Sequence, residues 1–98
     1  MSVVSILEIT FREADLDEAK AALGTILQQT REFPGCEGVE TLVDSADSTR
    51  IVAIERWADL EADTAYRAWR RTPEGANQLR AFVSAVPVLH IHHLDSVI

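Results

Sequence analysis

Cysteine is nearly absent: Cys36 stands alone among 98 residues. One thiol builds neither an intrachain disulfide framework nor a cysteine-based zinc site. Glycine and proline are scarce too, at 4 and 3, which excludes a collagen-like or low-complexity chain. Positive charge is in short supply, with 9 Lys and Arg against 16 Asp and Glu and a net charge of −7. Nucleic acids and anionic membrane surfaces are held through clustered positive charge, so neither is expected as a partner. No apolar run approaches the roughly 20 residues that span a bilayer. The opening Met1-Ser2-Val3-Val4-Ser5 lacks the basic segment of a secretory signal. A soluble, cytoplasmic chain in reducing surroundings is expected. Its length suits one modest core, so residues 1–98 are read as one domain.

What is present alternates between short elements. Residues 3–11 are rich in β-branched and aromatic types and read as a strand, apolar on both faces. Residues 16–33 read as a helix, with Asp15 and Glu18 spaced as a capping box and Pro34-Gly35 as its stop. Leu16, Ala19, Leu23, Ile26, Leu27 and Phe33 form its apolar stripe. Residues 38–44 and 50–57 read as an antiparallel pair joined by the polar turn Asp44–Thr49. Asp59 is placed to cap a helix over 60–71. Thr72-Pro73-Glu74 is read as restarting a helix that runs to about 85, and residues 88–94 form the last strand.

The order β-α-β-β-α-β predicts an α+β, ferredoxin-like fold: a four-stranded antiparallel sheet with two helices on one face. Two helices cover only one side of such a sheet. The other side exposes Val4, Ile6 and their neighbours, an apolar patch that soluble monomers seldom leave open. A homodimer with its sheets face to face, a dimeric α/β barrel, is therefore expected.

Several side chains invite a chemical reading. Trp57 shares a strand face with Glu55, Ala53 and Ile51, and alone reads as core at the strand–helix corner. Tyr66 and Trp69 sit three apart on the second helix beside Ala62 and Ala65, as core filling or as a stacking surface for a flat ligand. His90 and His92 share one face of the last strand and His93 takes the other. The first two, with Glu8 or Glu40, fall short of a metal site and read as a polar lining, so no metal is predicted. Arg67, Arg70 and Arg71 read as a solvated helix face, with Asp63 pairing to Arg67 at i, i+4. Residues 1–64 hold 14 acids and 5 bases, a charge of −9, against 2 acids and 4 bases, +2, over 65–98. Cys36 reads as a small buried side chain.

Phe33-Pro34-Gly35-Cys36-Glu37-Gly38-Val39, Glu55-Arg56-Trp57-Ala58-Asp59-Leu60-Glu61-Ala62, Arg71-Thr72-Pro73-Glu74 and Pro87-Val88 occur together at this spacing. In this the chain resembles the antibiotic biosynthesis monooxygenase domain family, a branch of the dimeric α+β barrels, over nearly its whole length. The resemblance implies a homodimer with a cavity between sheet and helices, and oxygenation of a small aromatic phenol, quinol or anthrone by O2 with no cofactor. It implies that Trp57, Trp69, Leu7 and Phe82 contact the substrate, that Tyr66 meets the reacting phenol, and that Arg80 steadies developing negative charge. His93, facing the cavity, is the candidate base. Ala53 stands where aromatic-oxygenating members carry an asparagine. Leu79 stands where haem-degrading members carry a histidine, which argues against haem ligation. The competing readings are a non-catalytic dimer that binds a small apolar ligand, and a metal- or haem-dependent variant using the strand histidines.

Overall fold

A computed structural model describes residues 2–95; Met1 and 96–98, the ends of the expected 1–98 domain, lie outside the described residues. The elements are β1 (Val3–Thr10), α1 (Leu16–Glu32), β2 (Cys36–Val43), β3 (Arg50–Trp57), α2 (Leu60–Arg70) and β4 (Val88–His93). Single 3₁₀ turns lie at Glu13–Asp15 and Leu79–Ala81. The strands form one antiparallel sheet in the order β2-β3-β1-β4, the ferredoxin-like arrangement that the element order predicts.

Register sorts the side chains. Val3, Ser5, Leu7 and Ile9 of β1 lie opposite Trp57, Glu55, Ala53 and Ile51 of β3, and Val3, Ser5 and Leu7 lie opposite His93, Ile91 and Leu89 of β4. Paired residues share a face, so these rows form the helix-facing side. There Ile9, Phe11, Ile51, Ala53 and Val39 pack against Ala19, Leu23 and Leu27 of α1 as the main core. A second cluster joins Val3, Trp57 and Tyr66, with Phe33, Cys36, Ala62 and Trp69 packed against it.

The other sheet face bears Val4, Ile6, Val52 and Ile54, half-buried at its centre, with Leu42 and Val88 exposed. Glu40–Arg56 and Glu8–His90 contacts of 3.8 and 3.4 Å lie across it.

Local chemistry explains where the helices end. Phe33, before Pro34, takes the extended backbone that proline imposes on its predecessor, and α1 stops. Gly35 follows at φ +89°, and a Cβ there would overlap the Ala62 Cβ, so this turn lets α2 lie close. Asp59 caps α2, its carboxylate accepting from the Ala62 amide at 2.8 Å.

Two expectations are corrected. No capping box forms at Asp15, whose side chain instead accepts from the Arg12 guanidinium. Thr72-Pro73-Glu74 starts no second helical stretch to residue 85. The Thr72 hydroxyl donates to the Trp69 carbonyl at 2.7 Å and closes α2, and Gly75 packs where a Cβ would overlap that carbonyl. Residues 72–87 then follow an irregular path, helical only in the 3₁₀ turn.

Candidate active site

The aromatic residues picked out in the sequence do meet. Trp57 and Tyr66 have ring centroids 4.9 Å apart, and Tyr66 and Trp69 6.2 Å. Phe33 sets its edge against Trp57 and Tyr66 at 6.1 and 5.3 Å. Trp57 is fully buried and Tyr66 nearly so, while Trp69 is partly exposed. The rings pack against one another, as in the core-filling reading, with Trp69 left partly exposed. The Tyr66 hydroxyl is taken up by protein, sharing a 2.7 Å hydrogen bond with Thr30 and accepting another of 2.7 Å from Arg70 Nε.

The remaining candidates lie elsewhere on the helix-facing side. Leu7 is half-buried in mid-sheet. Phe82, also half-buried, packs with Leu79 and Val83 against the main core, near the Phe11 end of β1. Arg80 is exposed in the adjoining 3₁₀ turn, beside a hollow of about 350 Å³ formed with Val83–Pro87. His93 is exposed at the other end of the sheet, paired with Val3. His90 and His92 stack on the opposite face at 6.2 Å. Among the described residues no three His, Cys, Asp or Glu side chains gather as a metal site.

The helix layer leaves one strip open. On β4 the helix-facing Leu89 and Ile91 are 38% and 44% exposed. They lie opposite Leu7 and Ser5. α2 packs over β1 and β3, and the 3₁₀ turn packs at the Phe11 end. An apolar strip thus runs along β4 on the side where the helices lie.

Beside this strip, beneath α2, is a polar cluster. Asp63, fully buried, accepts from the Ser5 hydroxyl at 2.8 Å and from Arg67 at 3.1 Å. The same Arg67 nitrogen binds Glu55, which is 2% exposed. Burial pushes the Glu55 carboxyl above its usual 4.5, and Arg67 offsets this only in part. The Trp57 indole N–H favours the Glu55 anion but falls short of a formed hydrogen bond. Arg67 therefore turns inward, contrary to the solvated face expected, and so does Arg70, which reaches Tyr66 and the Ile26 carbonyl. Sequence reading missed this cluster, although a carboxylate in the row Ile51, Ala53, Glu55, Trp57 was the available signal. Cys36 is half-buried, its thiol raised chiefly by desolvation.

This is an α+β sheet with its helices on one face and an exposed apolar strip on that side, beside buried ionisable groups. Residues 2–81 match the family described as antibiotic biosynthesis monooxygenase, and the chain belongs to that family. No curated protein sequence matches it. Among solved structures it is similar to a mutant form of SnoaB, a cofactor-independent oxygenase from Streptomyces nogalater, with 19% identity, TM-score 0.82, 98% of this chain and 95% of that one covered. It is similar to Rv0793 from Mycobacterium tuberculosis at 19% identity and TM-score 0.81, with 99% of both chains covered. A conserved protein from Methanosarcina mazei Go1 superposes with TM-score 0.84 at 10% identity, with 97% and 94% covered. Among the described residues no helix is long and apolar enough to cross a membrane.

Proposed function

We propose that the protein is a cofactor-independent monooxygenase acting on a small aromatic phenol, quinol or anthrone-like substrate. The observation that carries this reading is the uncovered apolar strip of Leu89 and Ile91 opposite Leu7 and Ser5, on the sheet face that also holds the partly buried Arg67 guanidinium. A flat hydrocarbon ring gains by covering such a strip, roughly 25 cal/mol for each Å² of apolar surface removed from water. Family membership and the fold shared with SnoaB, described as a cofactor-independent oxygenase, support the chemistry.

The substrate itself supplies the electrons. Loss of a proton leaves an electron-rich aryloxide anion that passes one electron to O2; the radical pair combines, and the peroxide takes the proton back and loses water. For anthrone the balance is anthrone plus O2 giving anthraquinone plus water, with no other reductant. The protein must hold the ring, favour the anion and keep bulk water away. In this reading Leu7 and Phe82 flank the ring, His93 and Arg80 are polar groups at the two ends of the strip, and Trp57, Tyr66 and Trp69 form the rigid packing behind α2.

A second reading is a dimeric module that binds such a ligand without turning it over. It is favoured by Tyr66, whose hydroxyl is already engaged by Thr30 and Arg70. Oxygen uptake with anthrone, chelator present, separates the two. Protein-dependent uptake with one anthraquinone formed per O2 supports the oxygenase; binding without uptake supports the module.

A further inference from the structure

The polar cluster beneath α2 holds more hydrogen-bonding capacity than the protein uses. Three of its buried atoms have no partner: Trp57 Nε1, Arg67 Nε and Asp63 Oδ2. Trp57 and Asp63 are each fully buried. Buried polar atoms left unpaired are few in native proteins and are costly. Here all three belong to residues joined through Glu55 and Arg67. Two are N–H donors and one is an acceptor. A hydroxyl group offers the complement, one donor and two lone pairs.

The charge is unbalanced as well. Two carboxyl groups, Glu55 and Asp63, face one guanidinium. With both ionised the cluster carries a formal charge of −1 out of water, and it gains by accepting one proton. The groups that face Glu55 are Arg67 and Asp63 from α2 and the Cys36 thiol from β2, with Trp57 on its own strand and Ser5 opposite it on β1. Only Arg67 is cationic among them. The cluster meets solvent at Arg67, whose side chain is 18% exposed, while Ser5, between Glu55 and the exposed Ile91 in one cross-strand row, is itself fully buried.

We propose that this cluster is the hydroxyl-recognising and proton-accepting end of the site, with Glu55 taking the proton from an acidic aryl hydroxyl and Arg67 holding the resulting oxyanion. The inference rests on the aromatic-substrate reading for its ligand class. In the step, the aryl O–H bond breaks, an O–H bond forms on the Glu55 carboxylate, and the electron pair stays on the aryl oxygen. The total charge is −1 before and after. Asp63 and Ser5 are positioning residues: Ser5 donates to Asp63, and Asp63 accepts from the Arg67 guanidinium. The raised Glu55 carboxyl supports the assignment, because a base works best when its affinity for protons approaches the working pH.

The probe is 4-nitrophenol, whose neutral and ionised forms absorb at different wavelengths, added to the whole protein at a pH where the free phenol is neutral. The wild type is expected to show the ionised band on binding, and Glu55→Gln to lose it. Arg67→Lys, which keeps a cation between the carboxyls, is expected to weaken binding about tenfold through the lost Nε donor. With anthrone reacting through its enol tautomer, which carries the aryl hydroxyl, Glu55→Gln is expected to lower kcat/KM about 100-fold or more and to remove the acid limb of the pH profile, with the circular dichroism unchanged. An ionised band in the wild type without anthrone turnover retires the oxygenase reading and keeps the proton-accepting site. A bound probe that stays neutral in the wild type overturns the proposal with no variant needed. So does an ionised band that survives in Glu55→Gln, or no binding at all.

Discussion

Arg67 answers two buried carboxyl groups at once, so its loss cannot be shared out among neighbours. Arg67→Met leaves Glu55 and Asp63 facing each other without a cation. Removing one partner of a buried ion pair costs about 3–5 kcal/mol, and urea unfolding at neutral pH should show a loss of that size. Glu55 sets a pH dependence of its own. Its carboxyl lies above the usual 4.5 in the folded chain, so the fold holds this proton more tightly than the unfolded chain does. Its contribution to stability is complete below that usual value and is lost as pH rises through the raised one. Glu55→Gln should flatten this fall, measured as unfolding midpoints across acid to neutral pH. Asp47, held below 3.8 by the Thr49 hydroxyl and amide, acts in the opposite sense, its share being lost as pH falls through the lowered value. At this scale the sequence was least legible. Asp63 and Arg67 were recognisable as an i, i+4 pair, but the spacing fits a wet helix face as well as a dry one, and only the packing of α2 over Ser5 and Glu55 decides between them. Tyr66 shows the same ambiguity: its ring was readable as facing the sheet, but the hydroxyl's partners, Thr30 and Arg70, come from α1 and from the next turn of α2.

Among the elements, α2 is the best determined by local chemistry. Asp59 satisfies the free amide of Ala62 in its first turn, and Thr72 the Trp69 carbonyl in its last. Asp59→Ala should cost about 1 kcal/mol, the usual worth of such a cap, seen as a lowered thermal midpoint. The strands were readable to within two residues, because Ile51-Val52-Ala53-Ile54 and the β-branched run of β1 leave no helical alternative. The stretch 72–87 was misread. Thr-Pro-Glu is a sound helix start on sequence grounds, but its threonine hydroxyl is engaged by the previous helix, and Gly75 packs against the Trp69 backbone. This departure bears on function, since residues 72–87 add no further helix to the layer beside the exposed Leu89 and Ile91.

For the whole molecule, the decisive physical fact is that one layer of helices cannot shield two faces of a sheet. Ile6, Val52 and Ile54 at the centre of the outer face, with exposed Leu42 and Val88 around them, form a surface that a second copy of the chain would cover. We propose a homodimer, and sedimentation at micromolar concentration should give twice the chain mass; a clean monomer there contradicts it. The ferredoxin-like order was legible because six elements of alternating period admit few topologies. The chemistry was legible only as far as the family, since the strip and the buried cluster are made by tertiary packing. The most direct test of the oxygenase account is reaction of anthrone under ¹⁸O-labelled dioxygen with chelator present, quenched before the product carbonyls exchange with water. The account predicts anthraquinone carrying one heavy oxygen and water carrying the other, at a rate proportional to protein. Unlabelled product, or labelled product formed equally fast without the protein, contradicts it.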